Sequence, residues 1–216
     1  MAAVTPDAAP VLHAIYDPLC GWCYAAAPLL AVAREVPGLA LQLHAGGMMT
    51  GAQRRAMGPA WRDHVMPHDQ RIALLSGQPF GAAYFDGLLA DAGAVLDSEP
   101  PTTAILAAQA LGGQGLALLH RLQRAHYVEG RRIAERAVLR EAAQDIGLDG
   151  EAFDAAYDAQ AGAPTQAHIA QSRALLARLG GQGFPTLALQ RGSQWQLLPT
   201  GQFLGQPQAF AAYLQG

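Results

Sequence analysis

The 216-residue chain is poor in charged and aromatic side chains, and all of its 14 basic residues are arginine. Charged residues make up 14% and aromatic residues 7%, while hydrophobic residues reach 51%. This composition is typical of a compact globular protein and excludes a disordered one. A formal net charge of −3 gives no electrostatic basis for binding nucleic acid. No apolar run reaches the roughly eighteen residues that a membrane-spanning helix needs, so no membrane association is expected.

The start of the chain also lacks the features of an export signal. Residues 1–10 contain no basic segment followed by an apolar one, which a secretory signal would show. We therefore expect a cytoplasmic protein, in which a pair of cysteines would remain mainly reduced.

Cysteine is scarce, but its placement is informative. The only two cysteines, Cys20 and Cys23, are separated by two residues. Residues 10–17 predict a strand before them, and residues 20–36 predict an amphipathic helix that Pro28 should kink. The N-terminus of a helix offers free N–H groups and partial positive charge, which favour the thiolate of the first cysteine. A strand, a CxxC sequence and a helix in this order predict a redox-active dithiol.

Two other interpretations of the cysteine pair compete with a redox role. A structural zinc site takes four ligands, and the pair supplies two. His64 and His68 are four residues apart, but Pro67 between them predicts a break in the helix that would align them. We therefore expect no metal site. The second interpretation is an inert buried pair, which the position at a strand-to-helix junction disfavours.

The rest of the pattern divides the chain into a β-containing part and a helical part. Residues 39–45 alternate in polarity and predict a second strand, and the pattern from about residue 50 to residue 166 is helical. Ser98 and Asp149 are predicted helix caps. The last two strands and a closing helix are predicted at residues 183–190, 195–198 and 207–214. The expected order is β-α-β, a long helical segment, and then α-β-β-α.

The chain resembles the DsbA-like branch of the thioredoxin superfamily, and in particular its cytoplasmic FrnE-like proteins. The resemblance extends over nearly the whole chain and rests on three segments: DPLCGWCY at 17–24, YVEG at 127–130 and GFPTL at 183–187. It implies an α/β, thioredoxin-like fold with a large all-helical insertion between the second and third strands. The thioredoxin-like domain would comprise residues 1–50 and 165–216, and the insertion residues 51–164.

The resemblance also implies the activity of a thiol–disulfide oxidoreductase, acting as a reductase or an isomerase. Cys20 is expected to attack a disulfide, and Cys23 to resolve the mixed disulfide that results. Pro185 is expected to follow a cis peptide bond and to face the cysteines as the third catalytic residue.

The expected substrate-binding residues lie next to this catalytic group. They are Trp22, Phe184 and Thr186. The carbonyl group of Phe184 and the adjoining strand edge would pair with an extended peptide.

Two departures from the family pattern affect the chemistry. The residues between the cysteines are Gly-Trp, where DsbA itself has Pro-His, and Trp22 supplies no positive charge, so we expect a milder oxidant. Ala14 occupies the place where thioredoxin relatives often have a buried acid. Proton transfer at Cys23 then needs Asp17, His13 or water. Asp17 is the preferred candidate, with a role as a helix-cap or loop acid as its structural alternative.

The remaining expectations concern cofactors and partners. No cofactor is expected, and glutathione is a candidate co-substrate. With no further cysteine, the chain needs an external thiol reductant or oxidant to act on protein or peptide disulfides. Two alternatives stay open: a glutathione-dependent transferase or isomerase of the kappa-class or 2-hydroxychromene-2-carboxylate isomerase type, and a non-catalytic peptide-binding module. Retention of both cysteines argues against the transferase or isomerase.

Overall fold

A mixed four-stranded sheet forms the centre of the computed structural model, which describes residues 9–216. Residues 1–8, which carry most of the segment relevant to an export signal, lie outside the described residues. The six strands are β1 (Val11–Tyr16), β2 (Ala40–Ala45), β3 (Arg55–Ala56), β4 (Val95–Leu96), β5 (Thr186–Arg191) and β6 (Gln194–Leu197). The strand order in the large sheet is β2-β1-β5-β6, with β1 and β2 parallel and the other pairs antiparallel. β1 is therefore a central strand, and Leu12, Ala14 and Ile15 on it are fully buried.

The described residues also form nine α-helices. They are α1 (Gly21–Ala25), α2 (Ala27–Arg34), α3 (Pro59–Ser76), α4 (Glu99–Ala110), α5 (Gly115–Tyr127), α6 (Arg136–Asp145), α7 (Gly150–Gln160), α8 (Ala163–Arg178) and α9 (Pro207–Gln215). Short 3₁₀ or π turns occupy Gly51–Gln53, Ala83–Gly87, Leu88–Ala90 and Thr200–Phe203. The helix predicted at residues 20–36 is divided at Ala26, just before Pro28, which confirms the predicted kink.

The segment between β2 and β5 is mainly helical, and its helices α3 and α8 pack against elements outside it. Within it, α4 packs against α5 and α7, while α3 packs against α1 and α8 against β2. The short strands β3 and β4 pair with each other inside this segment and were not predicted, because two residues are too few to show alternation. The mixed α/β, thioredoxin-like architecture is confirmed. The domain boundaries predicted after residues 50 and 164 stay a prediction.

One prediction about α3 was wrong. The helix continues through Pro67, so it is not broken between His64 and His68, whose ring centroids lie 5.6 Å apart. A proline removes one backbone N–H donor from a helix. Because Pro67 is exposed, this hydrogen bond is lost on the side of the helix that faces water. In the described residues, no group of three or more His, Cys, Asp or Glu side chains could hold a metal ion.

The two predicted helix caps have different outcomes. Asp149 caps α7 and accepts hydrogen bonds from the N–H groups of Glu151 and Ala152. Ser98 is the N-cap residue of α4, but its hydroxyl donates to Asp17 in the loop before Cys20 instead of capping the helix. None of the helices formed by residues 9–216 combines the length and the apolar character needed to cross a membrane.

Candidate active site

The two cysteines lie where the chain passes from the loop after β1 into α1. Cys20 is the N-cap residue of α1, and its carbonyl accepts hydrogen bonds from the N–H groups of Cys23 and Tyr24 at 3.0 and 3.1 Å. Both cysteines are present as thiols. The CxxC sequence therefore begins a helix, as its sequence context predicted.

A cavity of about 230 Å³ lies against the first cysteine. We call its two sides the thiol wall and the helical wall. The thiol wall consists of Leu19, Cys20, Gly21, Trp22 and Met48. The helical wall consists of Trp61, His64, Val65, His68, Asp69, Tyr84, Leu96, His126 and Tyr127. Cys20 thus faces the cavity, whereas Cys23 is not among the residues that line it.

The environment of Cys23 keeps its thiol protonated at neutral pH. The side chain is 3% exposed, against 6% for Cys20. Burial raises the pKa of the Cys23 thiol well above its ordinary value, and the neighbouring Cys20 sulfur and Asp17 carboxylate act in the same direction. A weak hydrogen bond from the Asp17 N–H to Cys23 Sγ, at 3.5 Å, opposes them. The two thiols therefore differ in both access and environment.

The segment before β5, which contains Phe184 and Pro185, contacts Cys20. The Phe184–Pro185 peptide bond is cis, as the resemblance implied. The Phe184 carbonyl oxygen accepts a hydrogen bond from Cys20 Sγ at 3.5 Å. The Phe184 ring fills the space beside Gly46, where a Cβ atom would lie 2.2 Å from two ring carbons. Only glycine at position 46 leaves room for this ring.

The predicted substrate-binding residues occupy different places. Trp22 is half-buried and lines the cavity. Phe184 and Thr186 do not line it, and the Thr186 hydroxyl donates to the carbonyl of Gly183 at 2.7 Å. Trp22 alone of the three therefore faces the cavity directly.

Asp17 is fully buried and joins three parts of the chain. Its carboxylate accepts hydrogen bonds from the Leu19 N–H at 2.9 Å, the Ser98 hydroxyl at 2.9 Å and the Met48 N–H at 2.5 Å. Burial raises the pKa of Asp17, while these three hydrogen bonds and the charge of Arg173 act against that increase. This environment fits the structural alternative of a loop acid, and the role of Asp17 in proton transfer stays a prediction.

His13, the other side chain considered for proton transfer, is turned away from the cavity. Its two ring nitrogens lie 2.9 Å from His44 Nε2 and 2.9 Å from Gln190 Oε1. Both partners belong to strands beside β1, so these contacts hold the ring of His13 on the sheet. Ala14, at the position where relatives often have an acid, is completely buried.

The helical wall supplies a buried carboxyl group that the sequence did not predict. Asp69, on α3, is 4% exposed and accepts a hydrogen bond from the Tyr84 hydroxyl at 2.8 Å. Burial raises the pKa of Asp69 to about 6, while the hydrogen bond from Tyr84 and the charge of His68 lower it. A Cβ atom added at Gly21 would lie 3.0 Å from Asp69 Oδ1 and 2.9 Å from a methyl group of Ile72. The carboxyl group of Asp69 therefore lies directly against the CxxC turn.

Aromatic residues complete the helical wall. Tyr127 stacks on Tyr24 with ring centroids 4.9 Å apart and meets Tyr84 edge to face at 5.3 Å. Burial raises the pKa of Tyr127 well above its ordinary value, and Tyr84, Asp69 and the two cysteines act in the same direction. Burial lowers the pKa of His126 to about 4, so this ring is neutral at pH 7. Tyr127 lies in one of the three segments that carried the family resemblance, whereas no sequence signal marked Asp69 or Tyr84.

Comparisons with known proteins agree with this geometry. The family of DsbA-like thioredoxin domains matches residues 11–207. The structure is similar to that of the cytosolic disulfide reductase DsbM from Pseudomonas aeruginosa, with 59% identity and a TM-score of 0.90 over 95% of this chain and 97% of that one. A structure of the same protein with GSH matches at 58% identity and a TM-score of 0.89, with the same shares covered. A search of curated proteins found no match.

More distant matches agree in fold only. The structure of a 2-hydroxychromene-2-carboxylate isomerase matches with a TM-score of 0.57 at 15% identity, covering 95% of this chain and 96% of that one. The family match spans most of the chain and includes both cysteines. This chain belongs to the family of DsbA-like thioredoxin domains and is a thiol–disulfide oxidoreductase.

Proposed function

We propose that this protein reduces disulfides in the cytoplasm, with Cys20 as the nucleophile and Cys23 as the resolving thiol. The observation that carries the assignment of roles is that Cys20 lines the cavity, while Cys23 lies behind it with a raised pKa. A similar protein, 59% identical, is described as a cytosolic disulfide reductase, which supports the direction of the reaction.

The reaction consists of two exchange steps. The Cys20 thiolate attacks one sulfur of a substrate disulfide, forms a mixed disulfide, and releases the other substrate sulfur, which takes up a proton. Cys23 then loses its proton and attacks the Cys20 sulfur. This step releases the second substrate thiol and leaves a Cys20–Cys23 disulfide. Two electrons pass from the protein to the substrate.

An external thiol must return the protein to the dithiol form, since the chain has no other cysteine. Glutathione is the proposed reductant, and the structure of DsbM with GSH supports this choice. Two molecules of glutathione would reduce the Cys20–Cys23 disulfide and leave as glutathione disulfide. No resident cofactor is needed for this cycle.

The catalytic roles of Pro185 and Asp17 and the substrate contacts form part of the same proposal. Pro185 itself has no N–H and so adds no hydrogen-bond donor next to the Phe184 carbonyl that accepts from Cys20 Sγ. Trp22, Phe184 and Thr186 would contact a protein or peptide disulfide. Asp17, whose charge acts on Cys23, would take the proton that Cys23 loses in the resolving step.

The reduction potential of the Cys20–Cys23 couple, measured in glutathione redox buffers, tests the proposed direction. A reductase should show a value near that of thioredoxin, about −270 mV, whereas a value near that of DsbA, about −120 mV, would indicate an oxidase. Turnover in insulin reduction with glutathione as the electron donor provides the second measurement. Conjugation of glutathione to an electrophile without disulfide reduction would instead favour a transferase.

A further inference from the structure

Among residues 9–216, Asp69 is the one carboxylic acid that lines the cavity at Cys20. Its Oδ2 atom accepts the hydrogen bond from the Tyr84 hydroxyl at 2.8 Å, while Oδ1 has no hydrogen-bond partner among these residues. Oδ1 lies close to the start of α1, since a Cβ atom at Gly21 would be 3.0 Å from it. The proposed mechanism uses the carboxylate of Asp17, behind the thiols, but gives Asp69 no role.

The free oxygen of Asp69 is open to the cavity. In residues 9–216, the unpaired polar side-chain atoms that have no exposed surface belong to five other residues: Thr102, His120, Gln123, His126 and Arg140. Oδ1 of Asp69 is not one of these atoms, so part of its surface is exposed. Because Asp69 lines the cavity and its side chain is only 4% exposed, that surface faces the cavity. A molecule bound at Cys20 can therefore contact this oxygen.

The position of Asp69 on the helical wall matters because disulfide exchange has a direction. The Cys20 sulfur attacks one sulfur of the substrate along the S–S bond, so the leaving sulfur lies on the side of that bond opposite to Cys20. Cys20 belongs to the thiol wall, and the leaving sulfur therefore points away from that wall. This sulfur departs with the electron pair of the broken bond, and a basic thiolate must then gain a proton.

The other buried titratable groups of the helical wall are less suited to supply that proton. Burial raises the pKa of Tyr84 and of Tyr127, so their hydroxyl groups keep their protons. Burial lowers the pKa of His126 to about 4, so its ring is neutral at pH 7. Burial raises the pKa of Asp69 to about 6, although the hydrogen bond from Tyr84 and the charge of His68 lower it. A general acid is most effective when its pKa lies near the working pH.

We propose that Asp69 is the general acid that protonates the leaving sulfur of the substrate disulfide in the first exchange step. The inference rests on the proposed function, in which Cys20 is the nucleophile. The Cys20 thiol loses its proton to water, and its sulfur bonds to one substrate sulfur as the substrate S–S bond breaks. The second substrate sulfur takes the electron pair of that bond and the proton of Asp69, which regains a proton from water. Tyr84 is a positioning residue, because its hydroxyl holds Oδ2 and leaves Oδ1 free.

Two small disulfides that are uncharged near neutral pH distinguish this role from a structural one. Bis(2-hydroxyethyl) disulfide releases a basic thiolate that needs a proton, whereas 4,4′-dithiodipyridine releases a sulfur anion that its ring stabilises without one. Each is mixed in excess with the dithiol protein, and the loss of free thiols is followed by trapping with N-ethylmaleimide and mass spectrometry. The measured quantity is the ratio of the hydroxyethyl rate to the pyridyl rate, because a change in the fold or in the Cys20 thiol alters both rates alike.

Asp69→Asn keeps an acceptor for the Tyr84 hydroxyl but has no acidic proton to donate. At a pH of about 6, it should lower the hydroxyethyl rate about tenfold or more and change the pyridyl rate by less than about twofold. In the unchanged protein the ratio should fall as the pH rises through about 6, where Asp69 loses its proton, whereas in D69N it should not vary. Tyr84→Phe should move this fall to higher pH, since it removes a hydrogen bond that lowers the pKa of Asp69.

Three further variants serve as controls. Asp63→Asn makes the same change of charge on α3, at an exposed position outside the cavity lining, and both rates should equal those of the unchanged protein. His64→Gln and His68→Gln remove the exposed imidazoles of the helical wall, and both variants should retain the fall of the ratio with pH.

Three results would overturn the inference. The first is an equal loss of both rates in D69N, which would make Asp69 a structural residue. The second is no change of either rate in D69N. The third is a fall of the ratio with pH that D69N retains or that H64Q or H68Q removes, because an imidazole would then be the proton donor. If the unchanged protein reacted with neither disulfide, the proposed function itself would fail, and this inference with it.

Discussion

The two walls of the active-site cavity differ in the chemistry that they carry. The thiol wall holds the reactive sulfur of Cys20 and, behind it, that of Cys23, and it has no other titratable side chain in the cavity lining. The helical wall holds Asp69, Tyr84 and other titratable groups, but no nucleophilic sulfur. In the proposed mechanism, one wall carries out disulfide exchange and the other sets the polarity and charge around it.

The largest expected effect tests the division of labour within the thiol wall. Cys20→Ala should abolish disulfide reduction, since it removes the sulfur that faces the cavity. Cys23→Ala should retain the first exchange step and accumulate mixed disulfides on Cys20, which mass spectrometry under non-reducing conditions detects. Equal accumulation of mixed disulfides in both variants would reverse the assignment of nucleophile and resolving thiol.

A second prediction concerns Asp17, which links the thiol wall to α4. Asp17→Asn should lower the free energy of unfolding by about 2 kcal/mol or more, because an amide cannot accept all three hydrogen bonds and places a donor against a donor. Ser98→Ala is the control. It removes one of the three donors and also the acceptor of the Met49 N–H, so it should cost about 1–3 kcal/mol. Urea denaturation at pH 7 measures both values.

The same two variants separate a structural role from proton transfer. If Asp17 takes the proton from Cys23, D17N should slow release of the mixed disulfide and change its pH dependence, whereas S98A should leave the shape of that pH profile unchanged. Identical pH profiles for D17N and the unchanged protein would leave Asp17 a purely structural role.

Asp69, on the helical wall, should make the free energy of unfolding depend on pH. Burial raises the pKa of Asp69 from 3.8 to about 6 in the folded protein. The folded state therefore binds a proton more tightly than the unfolded chain, so stability from this group is fully present below pH 3.8 and is lost as the pH rises through about 6. Asp69→Asn lacks this loss. Its free energy of unfolding, relative to the unchanged protein, should rise by about 2 kcal/mol between pH 4 and pH 7.5. A difference that does not vary with pH would contradict the burial of a carboxylate at this position.

The smallest expected effect comes from the partner of Asp69. Tyr84→Phe removes the hydroxyl that donates to the Asp69 carboxylate, and it should destabilise the protein by about 1–2 kcal/mol at pH 7.5. The loss should be smaller at pH 4, where Asp69 is protonated to a larger extent. Thermal unfolding at the two pH values provides the measurement, and an equal loss at both would show that the hydroxyl acts by packing alone.

The thiol wall could be predicted from the sequence to a much greater extent than the helical wall. Cys20, Cys23 and Trp22 lie in one continuous motif between a strand and a helix, so local pattern was sufficient to place them together. The segment at Phe184 and Pro185 required the family resemblance, because it is more than 160 residues away in the chain. Asp69 approaches the cysteines through the packing of α3 on α1, and Tyr84 lies beside it through their hydrogen bond; local periodicity reports neither contact.

The errors in detail have related causes. Pro67 predicted a helix break by a local rule, but α3 is long and continues through this exposed proline. Ser98 was predicted to cap its own helix, yet a buried carboxylate more distant in the chain receives its hydroxyl. In the case of Ser98, a tertiary hydrogen bond outweighed a preference that is correct for an isolated segment.

The three hydrogen-bond donors of Asp17 are synthesised at different times. Leu19 is synthesised directly after Asp17, and Met48 follows later. Ser98 lies 81 residues beyond Asp17 and leaves the ribosome last of the three. Until then the carboxylate lacks one of its partners, and the loop before Cys20 lacks its anchor on α4. The nascent chain therefore presents its cysteines without the surroundings of the finished enzyme, which are complete only when the segment at Phe184 and Pro185 has also been synthesised.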